Sequence, residues 1–394
     1  MATSPRYHVT VAAPINIAFI KYWGKREGGE HLILPTNDSF SITLSTEPFR
    51  SKTTAVLDAS LTEDELWLNG EKESVAGNPR LVHVLAAVRS TCPADRAKLK
   101  VRVVSNNNFP TAAGMASSAS GYCALACALV KVFQSTADVS VLARVGSGSA
   151  CRSVYGGFVK WLQGTNADGT DCIAEQFANA AHWPEMTVLC AVVKGHKKDV
   201  SSTKGMQLSL QTSPMMPARI RDVVPARMAA VSEAVRNRDF ASFAAITMSD
   251  SDDLQAVCRT TTPTIVYATD DSFQIIKLVH AFNEAKGRKV LAYTFDAGAN
   301  AFLFTLRPDV PEVVALVNHY FPTPDELCAF NDPSLLRASK AVTLAPNCTA
   351  LLGDYPKRPL TYLLQSPVGD GPREMSDAES LINLSTLAPI LTVS

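Results

Sequence analysis

The sequence predicts an α+β protein of two domains. Some segments repeat apolar residues with the two-residue period of strands and others with the helical period, and the two kinds follow one another without regular βαβ alternation. The chain has 394 residues, of which 46% are hydrophobic and 19% charged. This length and composition are typical of a globular protein that buries a sizeable core in more than one domain.

The N-terminal half contains most of the predicted strands. Alternating or β-branched runs predict strands at 7–11, 39–44, 52–57, 99–105, 156–164 and 186–194. Asn69-Gly70 predicts the turn of a hairpin. Asn78-Pro79 predicts the start of a helix that continues to about residue 90, because proline is favoured in the first helical turn. A long helix is predicted after the loop at 106–116, ending near residue 133, and a shorter one over 138–146.

The C-terminal half has longer helical patterns. Helices are predicted at 214–238, 240–257, 272–287 and 310–320, and two strands flank a glycine-containing loop within 289–306. This change of pattern divides the chain into domains at 1–188 and 189–394, and we expect the last strand, near 360–366, to return to the N-terminal domain.

Composition and motifs exclude several function classes. Lys plus Arg equals Asp plus Glu at 37 each, so no net charge favours nucleic acid or anionic lipid. Nine cysteines without a CxxC pair, and no signal-like N-terminus, predict a reduced protein of the cytoplasm. The longest low-charge run, 114–130, is too short to span a membrane. The dispersed histidines predict no metal site, and the P-loop, HExxH and GxSxG motifs are absent.

The loop at 106–121, NNNFPTAAGMASSASG, predicts an anion-binding helix start. Small residues let a phosphate approach the unpaired N–H groups of a first turn, where the helix dipole favours negative charge, and a serine hydroxyl is a ligand for Mg²⁺. The residues concerned are Gly114, Ala116, Ser117 and Ser118. The alternative is a serine-capped helix packed tightly on a sheet, and this loop by itself does not distinguish the two.

A second small-residue turn, GSGSACR at 146–152, also leads into a helix start. Its hydroxyls, backbone amides and the Arg152 guanidinium suit phosphate or carboxylate, while the alternative is an exposed linker. Two such turns in one chain indicate two phosphorylated ligands, or one ligand and its nucleotide.

Charged side chains elsewhere have open interpretations. Lys21 and Lys25 lie four residues apart, and buried strands seldom contain two lysines, so at least one is expected to face a cleft. The alternative is a strand that ends at Lys21, with lysine side chains that extend along the surface to place their ammonium groups in solvent. The lysines of 194–204 and Arg80 fit either a ligand site or a solvated surface.

Asp296 follows an apolar strand and could act as a general base on an alcohol, or merely stabilise its loop as an Asx turn.

The combination of motifs resembles the diphosphomevalonate decarboxylase family of the GHMP kinase superfamily. The motifs are APINIAFIKYWGKR at 13–26, NNFPTAAGMASSASG at 107–121, GSGSACRSVYGGFV at 146–159, KKDVSSTKGM at 197–206 and YTFDAGANA at 293–301. IKYWGKR and GSGSACR are the specific ones, because the kinases of the superfamily lack them. The resemblance implies a two-domain GHMP kinase-type fold with mixed and antiparallel sheets and a cleft between domains.

The resemblance also implies the reaction. ATP with Mg²⁺ phosphorylates the 3-hydroxyl of (R)-5-diphosphomevalonate, and loss of phosphate and CO₂ gives isopentenyl diphosphate for isoprenoid and sterol synthesis. It implies a homodimer as well. The implied catalytic residues are Asp296, Lys21, Ser118 and Arg152. The implied substrate contacts are Asn16, Tyr22, Trp23, Gly24, Lys25, Arg80, Ser147, Gly148, Ser149, Ala150, Cys151, Arg152 and Thr203. The implied ATP contacts are Asn106, Asn108, Gly114, Ala116, Ser117, Ser118 and Ser202.

Two rival functions differ in outcome. A GHMP kinase that stops after phosphorylation releases no CO₂, and IKYWGKR and GSGSACR weigh against it. A phosphate sensor on the same fold is expected to lack Lys21 or Asp296, and both are present. Ala299 stands where the family has a proline, Met115 and Ser120 where it has leucine and alanine, and Asp38 where it has serine; none of these positions has an implied role.

Overall fold

The computed structural model describes residues 6–27, 32–47, 49–109, 117–193, 199–353 and 355–390. Within these residues the strands form three sheets of six, five and four strands, interspersed with helices. The predicted α+β class is confirmed.

The strands of the N-terminal half are β1 (Arg6–Pro14), β2 (Asn16–Ile20), β3 (Ser39–Thr43), β4 (Arg50–Asp58), β5 (Glu65–Leu68), β6 (Glu71–Glu73), β7 (Lys100–Asn107), β8 (Phe158–Trp161) and β9 (Ala174–Ala178). Those that follow are β10 (Met186–Val192), β11 (Leu291–Phe295), β12 (Ala301–Leu306), β13 (Cys328–Phe330), β14 (Tyr362–Pro367) and β15 (Arg373–Met375). The helices are α1 (Pro79–Ser90), α2 (Ala94–Ala97), α3 (Ser117–Phe133), α4 (Val139–Gly146), α5 (Ala150–Ser153), α6 (Ser202–Thr212), α7 (Met216–Ala218), α8 (Val224–Asn237), α9 (Phe240–Arg259), α10 (Asp270–Lys286), α11 (Val310–Tyr320), α12 (Pro333–Ser339) and α13 (Pro346–Thr349). A π-helical turn over Arg219–Val223 joins α7 to α8.

The first sheet has the strand order β15-β1-β4-β7-β5-β6 and packs against α1 and α3. Successive side chains of a strand point to opposite faces. Val103 of β7 therefore packs with the helices, whereas Val104 packs with Leu381 and Ile382 of the C-terminal segment. Both faces of the central strands are thus covered, which explains why these strands are apolar on both sides.

The second sheet, β11-β12-β10-β14-β13, and the third sheet, β2-β3-β8-β9, share the largest apolar core. Phe19 of β2 lies at its centre, with ring centroids 4.7 Å from Phe40, 5.0 Å from Phe243 and 6.5 Å from Phe304. Since β2 ends one residue later, this aromatic cluster fixes the direction in which the chain continues at Lys21.

The expected return of a strand near 360–366 to the N-terminal domain stays a prediction. β14 pairs with β10 and β13 inside the second sheet, and the next strand, β15, returns to pair with β1. β14 is buried along its middle and fits between two strands, whereas β15 is largely exposed, as suits a sheet edge. The expected domain boundary at 188/189 falls inside β10. Among the described helices, none has the length and apolar character needed to cross a bilayer.

Candidate active site

A cleft of about 350 Å³ opens between β2, the α4–α5 turn, the start of α6 and the loop after β11. The lining residues that the sequence predicted are Asn16, Lys21, Tyr22, Trp23, Lys25, Arg80, Ser118, Ser147, Gly148, Ser149, Arg152, Ser202, Thr203 and Asp296. The further lining residues are Ala18, Ile33, Met206, Leu254 and Ala297. Both halves of the chain therefore contribute to one site.

Lys21 and Asp296 form an ion pair in this cleft. Each residue directly follows the last residue of a buried strand, β2 for the lysine and β11 for the aspartate. Lys21 Nζ donates to Asp296 Oδ1 at 2.7 Å, and the lysine side chain is 3% exposed whereas the aspartate side chain is 39% exposed. The carboxylate therefore faces the cleft, and the ammonium group lies buried beside it.

Arg152 is a buried cation in the same cleft. Its Nε donates to Asn16 Oδ1 at 3.2 Å and its Nη1 donates to Ser39 Oγ at 2.7 Å. Asn16 is itself held, because its Nδ2 donates to Ser153 Oγ at 2.8 Å. Burial lowers the pKa of the Arg152 guanidinium from its ordinary value, yet a guanidinium stays charged in proteins. An oriented, buried guanidinium of this kind suits a planar anion such as a carboxylate.

The Tyr22 hydroxyl is buried and has no hydrogen-bond partner among the described residues, although the side chain lines the cleft. Burial raises the pKa of Tyr22 far above its ordinary value, and Cys151 adds to this shift while Arg152 opposes it. The hydroxyl is therefore a neutral donor at physiological pH. A buried donor without an acceptor is costly, so its position indicates where a ligand oxygen would be bound.

The turn between α4 and α5, residues 147–149, is tightly packed. A Cβ atom at Gly148 would lie 3.0 Å from Ile33 Cγ2 and Trp161 Cη2, and 3.1 Å from Tyr22 Cε1. A larger residue would push against Ile33, Trp161 and Tyr22. Glycine at this position therefore lets the turn pack closely against these three side chains.

A second cavity, of about 260 Å³, adjoins the cleft at Ser118 on the first turn of α3. Ser118 lines both cavities, and Ser147 Oγ donates to its Oγ at 3.3 Å. The other lining residues are mostly apolar, with a few amides: Leu66, Leu68, Asn69, Asn78, Leu81, Val103, Ser105, Asn107, Gly121, Tyr122 and Leu125. An apolar cavity beside a helix start suits a flat aromatic base that carries an anionic group.

Comparison with known proteins accounts for both halves of the chain. The family model of the diphosphomevalonate decarboxylase-like N-terminal domain matches residues 13–174, and that of the mevalonate 5-diphosphate decarboxylase C-terminal domain matches residues 188–375. The chain belongs to the diphosphomevalonate decarboxylase family.

Individual members of the family agree over nearly the whole length. Human diphosphomevalonate decarboxylase is 46% identical over 388 residues, which cover 95% of each chain. The structure of mevalonate diphosphate decarboxylase from Trypanosoma brucei is 59% identical with a TM-score of 0.94, and covers 95% of this chain and 100% of that one. The solved complex of MDDEF with MVAPP, AMPPCP and magnesium is 30% identical with a TM-score of 0.73, and covers 94% of this chain and 100% of that one.

Three of the implied substrate contacts do not line the cleft. Ala150 and Cys151 are fully buried within α5. Gly24 has a φ of +110°, and a Cβ atom there would lie 2.4 Å from Thr36 Oγ1. These residues lie behind the cleft wall and contribute to its shape. In a short motif, only some of the side chains point towards the ligand.

Asn106, near the end of β7, and Asn108, directly after that strand, are two of the implied ATP contacts. Neither Asn106 nor Asn108 lines the cleft or the second cavity, whereas Asn107 lines the second cavity. Asn108 Oδ1 instead accepts the Arg50 N–H at 2.8 Å. Neighbouring residues of a strand point to opposite faces, so Asn107 lines the second cavity and Asn106 does not; the expected ATP contacts of Asn106 and Asn108 stay predictions.

Some predicted residues lie outside the described part of the chain. These are Gly114, Ala116 and the lysines at 194, 197 and 198; of Ser117 the structure describes only the backbone, at the start of α3. Ser202 and Thr203 are described and lie on the first turn of α6, whose N-cap Ser201 accepts the Lys204 N–H. Sequence reasoning missed α6, although a serine before a short helical run is a recognised N-cap signal.

Sequence reasoning also missed two functional neighbours of the site. Ser39 orients Arg152, and a buried pair of Asp250 and Arg219 contacts the backbone of Lys21. No motif marks these residues, since their roles depend on partners that are distant along the chain.

Proposed function

We propose that the chain catalyses the ATP-dependent decarboxylation of (R)-5-diphosphomevalonate to isopentenyl diphosphate, ADP, phosphate and CO₂. The observation that carries this proposal is the pair of Lys21 and Asp296 in one cleft with the buried Arg152. A carboxylate that can take a proton, a cation beside it and a second cation for a substrate anion are the groups that this reaction requires. Family membership supports the same activity.

The reaction proceeds in two stages. Asp296 orients the 3-hydroxyl and accepts its proton while the oxygen attacks the γ-phosphorus of ATP and ADP leaves. The C3–O bond then breaks with release of phosphate, and the C1–C2 bond breaks with release of CO₂. The electron pair of the C1–C2 bond forms the C2=C3 double bond of the product. Phosphorylation is necessary because a tertiary hydroxyl is a poor leaving group.

Each group of side chains in the cleft is assigned to one negatively charged group of the substrates. Lys21 lies beside Asp296 and neutralises charge on the transferring phosphoryl group. Arg152, oriented by Asn16, binds the substrate carboxylate. The diphosphate is bound by donors on the cleft wall: Tyr22, Lys25, Arg80, Ser147, Ser149 and Thr203.

The second cavity is proposed to bind the adenine base of ATP. Its apolar walls accept a flat ring, and Ser118 lies between it and the cleft, where the phosphates would be. The relative solved with AMPPCP, an ATP analogue, and magnesium supports this ligand pair. The described residues contain no group of three acidic, histidine or cysteine side chains that could hold a metal. Because Ser118 lies between the two cavities, we infer that Mg²⁺ would be held by the ATP phosphates with the Ser118 hydroxyl, where it would offset phosphate charge.

The domain division and the assembly are part of the same proposal. Domains at 1–188 and 189–394 would contribute Lys21 and Asp296, respectively, to the cleft between them. None of the nine cysteines, all of which the structure describes, forms a disulfide, which supports a cytoplasmic location. A homodimer is expected, and light scattering after size-exclusion chromatography measures it directly.

Measurement of CO₂ and ADP from the same incubation tests the proposed reaction. The protein is incubated with ATP, Mg²⁺ and carboxyl-labelled (R)-5-diphosphomevalonate. We expect one CO₂ for each ADP. ADP without CO₂ would instead indicate a kinase that stops at the phosphorylated intermediate, and nucleotide binding without either product would indicate a sensor.

Substitution of Tyr22 by phenylalanine tests the diphosphate site. If the buried hydroxyl donates to the substrate, Tyr22→Phe should raise the KM for diphosphomevalonate by about 10- to 100-fold, the usual cost of a hydrogen bond to a charged group. The melting temperature should stay the same or rise, because the substitution removes a buried hydroxyl that has no hydrogen-bond partner in the part of the chain that the structure describes. Steady-state kinetics and calorimetry provide the two measurements.

Tyr320→Phe is the matched control. The Tyr320 hydroxyl donates to the Cys348 carbonyl at 2.9 Å and accepts the Leu351 N–H at 2.7 Å, remote from the cleft lining. This variant should lose stability with no change in KM. An unchanged KM in Tyr22→Phe would remove Tyr22 from the substrate site.

A further inference from the structure

The backbone of Lys21 is held on both sides by one buried ion pair. Its N–H donates to Asp250 Oδ2 at 2.8 Å, and its carbonyl accepts from Arg219 Nη2 at 3.3 Å. Asn37 Nδ2 also donates to that carbonyl at 3.0 Å. Lys21 has just left β2, so these contacts, rather than a sheet ladder, determine where its side chain begins.

The ion pair that holds Lys21 is bidentate and excluded from water. Arg219 Nη1 lies 3.0 Å from Asp250 Oδ1, and Arg219 Nη2 lies 3.1 Å from Asp250 Oδ2. The two side chains are 2% and 0% exposed. Arg227 adds a contact of 3.1 Å to Asp250 Oδ1 and pairs with Asp253, whereas the Lys21 backbone is bonded by Asp250, Arg219 and Asn37. A paired, fully buried fork of this kind has little freedom to move.

The next residue of α9 contacts the other half of the catalytic pair. Ser251 Oγ accepts the N–H of Phe295 at 3.1 Å, and Phe295 immediately precedes Asp296. Two consecutive residues of one helix therefore hold the backbone beside Lys21 and the backbone beside Asp296. The two strands that end at these residues, β2 and β11, belong to different sheets.

We propose that Asp250, Arg219 and Ser251 are positioning residues that set the distance between Lys21 Nζ and Asp296. α9 acts as a fixed spacer: Asp250 and Arg219 hold Lys21 through its peptide groups, and Ser251 holds the strand end that leads into Asp296. None of the three lines the cleft, so they act on the reaction only through the pair. Phosphoryl transfer is sensitive to such placement, because its catalysis consists mainly of positioning and electrostatics.

Arg219→Lys tests the inference, with Arg227→Lys as the matched control. A lysine keeps the positive charge beside Asp250. Its single ammonium group, however, cannot bond both Asp250 oxygens and the Lys21 carbonyl at once, as the Arg219 guanidinium does. We expect kcat for ADP formation to fall about 10- to 100-fold, with the KM values for both substrates within about twofold. Arg227→Lys disturbs the same ion cluster without touching Lys21, and should keep kcat within about twofold. Rates are normalised to the folded fraction measured by circular dichroism.

A second variant provides the test if Arg219→Lys does not fold. Ser251→Ala removes one hydroxyl and should lower kcat several-fold, whereas Ser232→Ala, which removes a hydroxyl bonded only within α8, should not. In a double-mutant cycle, Arg219→Lys should cost little further rate once Lys21 is replaced by methionine, because both changes act through the same ammonium group.

Equal losses of kcat in Arg219→Lys and Arg227→Lys, or a change in KM alone, would overturn the positioning role. If Arg219→Lys does not fold, an unchanged kcat in Ser251→Ala would do the same. The inference rests on the proposed function. Separate measurement of ADP formation and CO₂ release distinguishes a failure of the positioning role from a failure of the proposed function. Wild-type protein that forms ADP without CO₂ refutes the decarboxylation and still allows the positioning role to be measured.

Discussion

The Asp296→Asn variant should form ADP and CO₂ about 10²- to 10⁴-fold more slowly than the wild type, the usual contribution of a positioned general base. Asparagine has nearly the same shape, but it cannot accept the proton of the 3-hydroxyl. It also leaves the buried Lys21 ammonium without its carboxylate partner. The KM values should change much less than kcat, because the proposed diphosphate and adenine sites are untouched. Quenched-flow measurement of ADP and CO₂ gives both rates.

Asp222→Asn is the control for this substitution. Asp222 is exposed and pairs with Arg221 on the surface, so its variant should have wild-type rates. Asp296→Asn with a rate within threefold of the wild type would show that the carboxylate neither removes nor orients the proton. Loss of CO₂ with ADP formation retained would restrict its role to the elimination stage.

The Asp250→Ala variant should lose about 3–5 kcal/mol of stability, which is the cost of breaking a buried ion pair on one side. Arg219 would remain buried with an unpaired charge, and the Lys21 N–H would lose its acceptor. Urea unfolding followed by fluorescence measures the change. Asp222→Ala removes a pair of the same chemistry from the exposed surface and should have no measurable effect. Similar unfolding midpoints for both variants would contradict the importance of burial.

The same carboxylate should make stability depend on pH in acid. Burial raises the pKa of Asp250, but the charge and hydrogen bonds of Arg219, the Lys21 N–H and the charge of Arg227 outweigh burial and hold the pKa below its ordinary value. The folded pKa is depressed, so the stabilisation is present above the unfolded-state pKa of about 3.9 and is lost as the pH falls through the folded pKa. Unfolding free energies measured down to about pH 2.5 should fall more steeply in the wild type than in Asp250→Asn. Parallel curves would assign the acid sensitivity to other groups.

Much of the fold follows from local signals. Asn78 accepts the Leu81 N–H at the start of α1, and Asp138 accepts two N–H groups at the start of α4, as capping residues do. The strand and helix predictions depended on apolar periodicity, on the Asn69-Gly70 turn and on Pro79 in a first helical turn, all of which involve residues within a few positions of one another. The pairing of β14 inside the second sheet and of β15 at the edge of the first depends on the neighbours available to each strand, which no local pattern records.

In the candidate site, too, some residues follow from local motifs and others do not. Short motifs carried the chemistry of Asn16, Tyr22, Ser118 and Arg152, and their side chains do line the cleft. The motifs also included Ala150 and Cys151, which are buried, because a motif does not state which of its side chains point outward. Nothing near Asp250 in the run SDSDD distinguishes the one aspartate that is fully buried from its neighbours.

The sequence by itself determined the fold class, the family and the groups that carry the chemistry, because these depend on periodicity and on short motifs. Only the tertiary structure decided which groups meet. Lys21 and Asp296 are 275 positions apart, yet they lie in hydrogen-bond contact. The strength of such a pair depends on distance in space and on exclusion of water. Both are set by the packing of β2, β11 and α9 against one another, and that packing is a property of the whole chain rather than of any segment.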